Sequence, residues 1–528
     1  MRKLLCLAAI ALVLNPAGTR DVDARQVTCS VESIQAKAPE DVTITAAGMV
    51  VRPAGNVRGA EPTHCRVDGH VSVPGNQVNF RVGLPEDWNG KFYFSGVGGL
   101  GGRMGSLNKG LLRGYASAST DTGHSADDPN WGSNRAKEID YGHRGTHVTA
   151  VAGKALTAAF YARPVQHAYF EGCSNGGRQA FMEVQRYPDD FDGIIGGHPA
   201  TGTPMQAGRA VVYQHMLASV DNLLTAEKIE LLSRATLAAC DGTDGLKDGI
   251  ITNPPACSFD VATLTCSTFA QGASADKPTG DAADCLTPGQ VTTVKKIYGG
   301  VKLKDGRTFA YGFPVGHEGG TSGWRAWITG ATPPAKQEDG RLAYAAERPP
   351  SGYGLMEPNF RFLALDEDDP AYSWKVFDVD RDQARLKTMT DILSPLDPDL
   401  RPFMRNGGKL IAYHGWSDPG VSAAGTVAYF DRMTAIVGGR RRADDFARLF
   451  MVPGMHHCGG GPGPNSFDML PALEAWVEKG IAPQHVMASR MTDGKVERTR
   501  PLCPHPQVAK YNGQGSIDEA SSFTCSPK

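Results

Sequence analysis

The feature that most restricts the fold of this sequence is an apolar run that leads directly into Gly172-Cys173-Ser174-Asn175-Gly176. The run His167-Ala168-Tyr169-Phe170 has β character, and residues 178–186 have helical spacing. Strand, sharp turn and helix in this order form one step of a mostly parallel sheet. The pattern Gly-x-Ser-x-Gly at such a turn is typical of a nucleophile elbow, where glycines allow the tight bend that exposes the serine hydroxyl. In a chain with 63 glycines the pattern alone could arise by chance. Its position between a strand and a helix is what indicates a nucleophile elbow.

Other segments extend this α/β pattern on both sides of a long interruption. Strand-like runs occur between Thr63 and Phe94 and at 409–413 and 448–452, and Gly145 to Arg163 has helical spacing. Residues 203–397 are rich in Asp, Gly, Pro and Thr and lack sustained β periodicity. We therefore predict an α/β fold with a mostly parallel sheet, in which core residues 25–202 and 398–528 flank an inserted domain at 203–397.

The N-terminus carries an export signal. Arg2 and Lys3 precede the apolar run 4–14, and Val22-Asp23-Ala24 provides small residues suited to cleavage. We predict that residues 1–24 are a signal peptide and that the mature protein is secreted or periplasmic. No later run approaches the ~20 apolar residues of a membrane span, and a net charge of −2 provides no general attraction for phosphate backbones. Neither a membrane nor nucleic acid is expected as a partner.

The cysteine count supports the export signal. Eleven cysteines are present, and removal of the leader with Cys6 leaves ten, an even number that indicates disulfides in an exported chain. Sequence alone does not fix the pairing. Pairing near neighbours gives Cys29–Cys65, Cys240–Cys257, Cys266–Cys285 and Cys503–Cys525, which leaves Cys173 and Cys458 for each other.

A serine nucleophile needs a base and an acid, and two loops that follow predicted strands offer them. Asp418 lies after the strand at 409–413, and His457 lies after the strand at 448–452. The order Ser, Asp, His is that of α/β-hydrolases, and reactive residues gather at the carboxyl ends of the strands in such sheets. Taken alone, an Asp before a Pro is usually turn chemistry. Taken together, the three residues favour a catalytic triad.

Two adjacent histidines compete for the role of base. If Ser174 contacts the base, the chain neighbours of these two residues must also lie close together. Their Cα atoms are then within the ~4.4–6.8 Å that a disulfide requires. Cys173 and Cys458 meet this demand, and His457 is the histidine next to Cys458. We predict that His457 is the base and that His456 packs nearby.

An oxyanion in the transition state needs backbone N–H donors. The residue after the nucleophile, Asn175, provides one, and the glycine-rich loop 95–102 after the strand at 91–94 offers Gly98 or Gly99, of which we select Gly99. The loop lacks the Gly-Lys-Ser/Thr ending of a nucleotide-binding loop, and no organic cofactor is expected.

Asp241, Asp244 and Asp248 occur in a loop with three glycines within the insertion. Carboxylates in a glycine-bent loop are typical of calcium ligands, although the spacing is not that of an EF-hand. A plain Asp-Gly turn explains the residues equally well.

Jointly these segments resemble the tannase and feruloyl esterase family across nearly the whole mature chain. The residues that carry the resemblance are Thr120–His124, Gly172–Arg178, Phe191–Ile194, the aspartate loop from Cys240, Tyr413–Asp418 and Pro453–Cys458. The resemblance implies an α/β-hydrolase core with a calcium-binding lid, the triad Ser174, Asp418 and His457, and a Cys173–Cys458 disulfide. It also implies calcium ligands from the side chains of Asp241, Asp244 and Asp248 and the carbonyls of Leu246 and Ile250.

Members of this family cleave esters of aromatic acids. The resemblance therefore implies a secreted serine carboxylic ester hydrolase that releases hydroxycinnamic or gallic acids through an acyl-enzyme, from small aromatic esters or from feruloylated or galloylated plant material. A terephthalate monoester hydrolase is less favoured, because Pro419-Gly420-Val421 after the acid presents no aromatic ring. Tyr353, Phe360 and Phe362 could line a pocket or belong to the core. The alternative from another class is an inactive, calcium-stabilised binding protein on the same scaffold, against which the intact triad argues.

Overall fold

The computed structural model describes residues 27–53, 60–267, 284–338, 340–369 and 371–527. The predicted signal peptide, residues 1–24, lies outside these ranges. A nine-stranded sheet occupies the centre, in the order β1-β2-β3-β5-β4-β6-β7-β12-β13. Its strands are β1 Val42–Val50, β2 His64–Val73, β3 Asn76–Pro85, β4 Lys91–Ser95, β5 Ala116–Thr120, β6 His167–Cys173, β7 Gly193–Gly197, β12 Lys409–Gly415 and β13 Ala447–Val452.

The sheet has a parallel part and an antiparallel edge. Parallel pairings join β5, β4, β6, β7, β12 and β13, whereas β1, β2, β3 and β5 pair antiparallel. Every residue of β5 and β7 is buried, as expected of strands covered by helices on both faces. The carboxyl ends of β6, β7, β12 and β13 therefore meet at one edge, and the predicted α/β fold is confirmed.

Helices account for most of the remaining regular structure. They are α1 Val31–Gln35, α2 Asn108–Leu111, α3 Arg135–Ile139, α4 Gly145–Tyr161, α5 Asn175–Arg186, α6 Thr203–Met216, α7 Ala226–Cys240, α8 Pro288–Gly299, α9 Ser351–Pro358, α10 Val379–Asp382, α11 Lys387–Leu393, α12 Arg401–Arg405, α13 Ala423–Ile436, α14 Arg440–Asp444 and α15 Leu470–Lys479. One face of the sheet packs on α4, α5 and α13 through an aromatic layer that includes Phe94, Phe170 and Phe191. No helix in the described part of the chain is both long and apolar enough to span a membrane.

Between β7 and β12 the chain leaves the sheet and builds a separate apolar cluster. Its members run from Ala207 to Leu386 and include Tyr213, Trp324 and Phe360. The short hairpins of this region are β8 Val301–Lys302 with β9 Thr308–Ala310 and β10 Ala335–Lys336 with β11 Leu342–Ala343. We refer to residues 203–397 as the lid; the division of the chain at these limits stays a prediction.

The C-terminal segment adds two more hairpins, β14 Val486–Thr492 with β15 Lys495–Leu502 and β16 Val508–Tyr511 with β17 Phe523–Ser526. Five disulfides join the same cysteines that the sequence analysis paired. They are Cys29–Cys65, Cys173–Cys458, Cys240–Cys257, Cys266–Cys285 and Cys503–Cys525. The Cys173–Cys458 bond spans 285 residues of sequence and connects the ends of β6 and β13.

Candidate active site

Ser174 lies at a strained turn between β6 and α5. Its φ of 64° and ψ of −118° fall in a region that residues with a side chain rarely adopt. The turn is so tight that a Cβ on Gly172 would lie 2.5 Å from the Gly176 carbonyl oxygen, and one on Gly177 would lie 2.1 Å from that of Gly197. Glycine is therefore required on both sides of the serine. This geometry is that of a nucleophile elbow.

Asp418 follows β12 and is completely buried. Its Oδ1 accepts hydrogen bonds from the backbone N–H groups of Gly420 at 2.6 Å and Val421 at 3.0 Å. Its Oδ2 faces three imidazoles, from His457 Nδ1 at 2.9 Å, His198 Nδ1 at 2.6 Å and His414 Nε2 at 3.1 Å. Burial alone would raise the pKa of Asp418, but the attraction of His457 and the imidazole hydrogen bonds hold it well below its usual value. The carboxylate is thus kept ionised.

Sequence reasoning did not identify His198 and His414 as partners of Asp418. The Nε2 of His198 accepts from the Gly415 N–H at 3.4 Å, so its Nδ1 carries the proton that is donated to Asp418. The Nε2 of His414 faces both Asp418 and the Val421 carbonyl, so it is also a donor. Both histidines lie at the carboxyl ends of strands, directly after β7 and within β12. That position was a signal that could have revealed them.

His198, His414 and Asp418 are also close enough together to ligate a metal ion. The hydrogen-bond pattern accounts for them without one, because each imidazole presents an N–H rather than a lone pair to the carboxylate. Burial lowers the pKa of His198 to about 3, which keeps this ring neutral at physiological pH. We interpret the cluster as support for the acid of the triad.

The two adjacent histidines point in different directions. His457 donates from Nδ1 to Asp418, whereas His456 is bonded to the lid, with Nε2 2.8 Å from the His317 carbonyl and Nδ1 2.7 Å from Ser322 Oγ. Burial lowers the pKa of His456, and it makes no hydrogen bond to Asp418 in the described part of the chain. The structure therefore brings His457 to the acid and leaves His456 between core and lid, as the disulfide argument predicts.

Ser174 and His457 are held near each other by their chain neighbours. The Cα atoms of Cys173 and Cys458 are 6.1 Å apart in the disulfide. The buried Nε2 of His457 has no hydrogen-bond partner among the described residues, and no Ser174–His457 hydrogen bond is formed. Such bonds are often long in free enzymes and tighten when substrate binds. The Nε2 atom is left available to accept the serine proton.

The predicted oxyanion donors lie at the same pocket as the serine. Asn175 and Gly99 both line the pocket that contains Ser174. Asn175 is the first residue of α5, so its N–H has no partner within the helix. Its side chain donates to the Val97 carbonyl at 2.9 Å, which ties the glycine-rich loop to the elbow. Arg178, fully buried, donates in turn to Asn175 Oδ1 at 2.7 Å.

The pocket beside Ser174 is small, about 40 Å³, and the lid supplies part of its wall. Trp327 packs edge-on against His457 with ring centroids 4.3 Å apart, and its ring covers Gly420. Residues 419–421 themselves present no aromatic ring, so the ring beside the triad comes from the lid, which the sequence analysis did not anticipate. Tyr353 and Phe360 pack in the lid cluster instead, and Phe362 packs against a second small cluster around Leu363.

The aspartate loop begins directly after α7 and lies within the segment that the Cys240–Cys257 disulfide closes. Asp241 and Asp248 both accept from the Ile250 N–H, at 3.2 and 3.1 Å, and Asp244 accepts from Leu246 N–H at 3.0 Å. Asp248 is further bonded to Arg500 at 2.5 Å. Burial raises the pKa of Asp248, and its neighbour Asp241 adds to the effect. Oxygen ligands of this kind suit a hard cation, but the structure does not bring the three carboxylates together: among the described residues their oxygens do not all lie within 4.8 Å of one another, and Arg500 offsets part of their charge.

Comparisons with known proteins identify relatives of the whole chain. A sequence profile for tannase and feruloyl esterase matches residues 65–526. The chain is 34% identical to mono(2-hydroxyethyl) terephthalate hydrolase of Piscinibacter sakaiensis, over 90% of this chain and 86% of the relative. It is 30% identical to a probable feruloyl esterase of Arthroderma benhamiae, over 85% and 82%. The crystal structure of feruloyl esterase B from Aspergillus oryzae superposes with a TM-score of 0.80 at 25% identity, over 94% of this chain and 99% of that chain.

Proposed function

Because the chain belongs to the tannase and feruloyl esterase family and is a carboxylic ester hydrolase, we propose that it hydrolyses esters of small aromatic acids of the hydroxycinnamic or gallic type. The hydrolytic chemistry rests on the hydrogen bond from His457 to Asp418, next to the Cys173–Cys458 disulfide that holds His457 near Ser174. The aromatic acyl group rests on the match to the tannase and feruloyl esterase family. The fold alone would not imply activity. An ionised acid, an oriented base and a serine at a strained turn are the parts of a catalytic triad for acyl transfer.

The reaction proceeds through an acyl-enzyme. Ser174 Oγ attacks the ester carbonyl carbon while its proton passes to His457 Nε2, and the Asp418 carboxylate stabilises the imidazolium. The N–H groups of Asn175 and Gly99 stabilise the negative oxygen of the tetrahedral intermediate. When the intermediate collapses, the C–O bond to the alcohol breaks and His457 protonates the departing oxygen. Water then attacks the acyl carbonyl with His457 again as base, which releases the aromatic acid and restores Ser174.

Terephthalate monoesters are a second candidate class of substrate. The reason for ranking them lower was the absence of an aromatic wall, and Trp327 beside His457 removes that reason. The similarity to a mono(2-hydroxyethyl) terephthalate hydrolase points the same way. Phenolic acyl groups remain our first choice, since the chain is similar in sequence to the probable feruloyl esterase of Arthroderma benhamiae and superposes on feruloyl esterase B.

We further propose a structural calcium ion in the lid. The side chains of Asp241, Asp244 and Asp248 and the carbonyls of Leu246 and Ile250 would hold it, and it would stabilise the loop that the Cys240–Cys257 bond closes. It takes no part in the ester chemistry. Secretion or residence in the periplasm is also a proposal, which five disulfides support because such bonds persist in oxidising compartments.

The test of substrate class is a side-by-side release assay with methyl ferulate, methyl gallate, a terephthalate monoester, a long-chain fatty ester and a peptide amide. We expect the highest kcat/KM for ferulate or gallate, because discrimination among acyl groups is a difference in transition-state binding. A higher kcat/KM for the terephthalate monoester would favour the second candidate. Hydrolysis of the peptide amide or the fatty ester above all aromatic esters would contradict both.

A further inference from the structure

A second, larger cavity adjoins the nucleophile's pocket at Trp327, which lines both. It has a volume of about 260 Å³ and does not include Ser174 among its lining residues. It lies between the lid and α13, and shares Met205, Arg209 and Trp327 with the catalytic pocket. Its size is close to the ~300 Å³ lower end of ligand-binding pockets. The nucleophile's own pocket, at about 40 Å³, is much smaller.

The walls of this cavity combine aromatic rings with positive charge. Phe181, Phe309, Phe313 and Trp327 are among the rings that line it. The charged side chains that line it are all cations, Arg209, Lys296 and Arg432, and no carboxylate is among the lining residues. Arg432 and Tyr311 are exposed and mark the mouth, whereas Arg209 is only 8% exposed and marks the inner end.

Arg209 is a buried cation that no carboxylate contacts directly, although the more distant Asp418 attracts it. It donates to the Gln206 side-chain oxygen at 2.8 Å and to the Gly420 carbonyl at 2.5 Å, both neutral acceptors. None of the three cations has a carboxylate within 4.0 Å in the described part of the chain. Burial lowers the pKa of Arg209 to about 10, so it remains charged at neutral pH. A buried guanidinium is costly unless a negative group compensates it.

We propose that this cavity binds an aromatic carboxylate, the acid that the enzyme releases, with its ring among the aromatic side chains and its carboxylate toward the cations. The inference rests on the proposed function for the identity of the acid, but the chemistry of the walls selects the class independently. Met205, Arg209 and Trp327 line both the cavity and the catalytic pocket, so the acid is released at Ser174 next to the wall of this cavity. Bound there, the acid inhibits the enzyme without competing with a small ester for Ser174.

The test measures ferulate binding by calorimetry to the full mature chain carrying Ser174→Ala, so that no turnover is needed. Ferulic amide serves as the neutral probe of the same shape. We expect ferulate to bind at least tenfold more tightly than the amide, because only the acid compensates the cations. Equal affinity for the two probes, or no binding of ferulate, would overturn the proposal.

Two pairs of variants locate the bound acid. Gly425 lines the cavity from α13, and a Cβ there would make an ordinary contact of 3.4 Å with Tyr311. Gly425→Leu should fill the cavity and weaken ferulate binding at least tenfold, whereas Gly425→Ala should change Kd less than twofold. Lys296→Gln should weaken binding about threefold, as for an exposed ion pair, and Lys295→Gln, an exposed neighbour that does not line the cavity, should leave it unchanged.

Kinetics separate this cavity from the catalytic pocket. With unmodified enzyme, ferulate should lower kcat for p-nitrophenyl acetate, and Gly425→Leu should abolish the inhibition while keeping kcat/KM for this ester. Purely competitive inhibition that survives Gly425→Leu and Lys296→Gln would contradict the proposal and assign ferulate to the catalytic pocket. Because binding is measured on Ser174→Ala, failure of the cavity proposal and failure to hydrolyse aromatic esters are distinguishable results.

Discussion

The Nδ1 atom of His198 lies 2.6 Å from Oδ2 of Asp418, and both side chains are completely buried. The same carboxylate oxygen accepts a hydrogen bond from His457. The orientation of the base therefore depends on the Asp418 carboxylate, which His198 holds in place. His198 is not among the residues that line the pocket at Ser174, and it acts through its hydrogen bond to Asp418. It is a positioning residue for the triad.

His198→Ala should reduce kcat about 10- to 100-fold with little change in KM, because a hydrogen bond to a charged group contributes ~1.5–3 kcal/mol. His198→Asn should restore most of the rate, since its amide nitrogen can replace Nδ1 and Asn tolerates the positive φ of 44°. Steady-state kinetics across pH are the measurement. Loss of a donor to Asp418 raises the pKa of this carboxyl, so the acidic limb of kcat/KM should move to higher pH in His198→Ala. An unchanged kcat in His198→Ala, or no rescue by Asn, would reduce His198 to a packing residue.

The catalytic turn was predictable because its signals are local. Ser174, its flanking glycines and the helix after it are consecutive in sequence, and post-strand loops led to Asp418 and His457. His198 and Trp327 were not predicted, because their roles depend on which distant segments meet. The position of His198 after a strand marks it as a possible site residue but does not reveal its partner Asp418, and a tryptophan in a low-periodicity region carries no signal in one sequence. Tyr353 and Phe360 show the reverse. Their aromatic side chains suggested a pocket lining, but in the structure they pack in the apolar cluster of the lid.

The two adjacent histidines should differ strongly when replaced. His457→Ala removes the base and should lower kcat by ~10⁴-fold or more, because members of a triad act as a unit. His456→Ala removes only the bonds to Ser322 and His317 and should lower kcat less than tenfold. Both variants are compared by p-nitrophenyl acetate hydrolysis and by thermal melting. A greater loss of kcat in His456→Ala would show that the base was misassigned.

Breaking the Cys173–Cys458 bond should impair catalysis directly. The double variant Cys173→Ser/Cys458→Ser should lose about 100-fold in kcat/KM, because displacement of reacting groups by ~1 Å has an effect of this order. The matched control is Cys503→Ser/Cys525→Ser, whose bond joins the C-terminal hairpins. The control should lose stability but keep kcat/KM when both are assayed well below their Tm. Equal kcat/KM losses in the two double variants would mean that the effect is only one of stability.

Removal of calcium should lower the Tm of the protein. A ligand that binds only the folded chain stabilises it by about 2.7 kcal/mol at a concentration one hundred times its Kd. Chelator should therefore shift the melt downward, excess calcium should reverse the shift, and Asp244→Asn should make the melt insensitive to both. Asp431→Asn, an exposed acid outside the loop, is the control. An unshifted melt, together with purified protein that contains no metal, would leave the loop as an Asp-Gly turn bonded to Arg500.

The central claim is that Ser174 carries the acyl group during ester hydrolysis. Its most direct test is rapid acid quenching of the enzyme during turnover of methyl ferulate, followed by mass spectrometry of its peptides. The account predicts a feruloyl adduct on the peptide that contains Ser174, and no adduct in Ser174→Ala. In His457→Ala, which lacks the base, the adduct should form much more slowly than in the unmodified enzyme. Ester hydrolysis with the adduct on another residue, or undiminished hydrolysis by Ser174→Ala, would contradict the account.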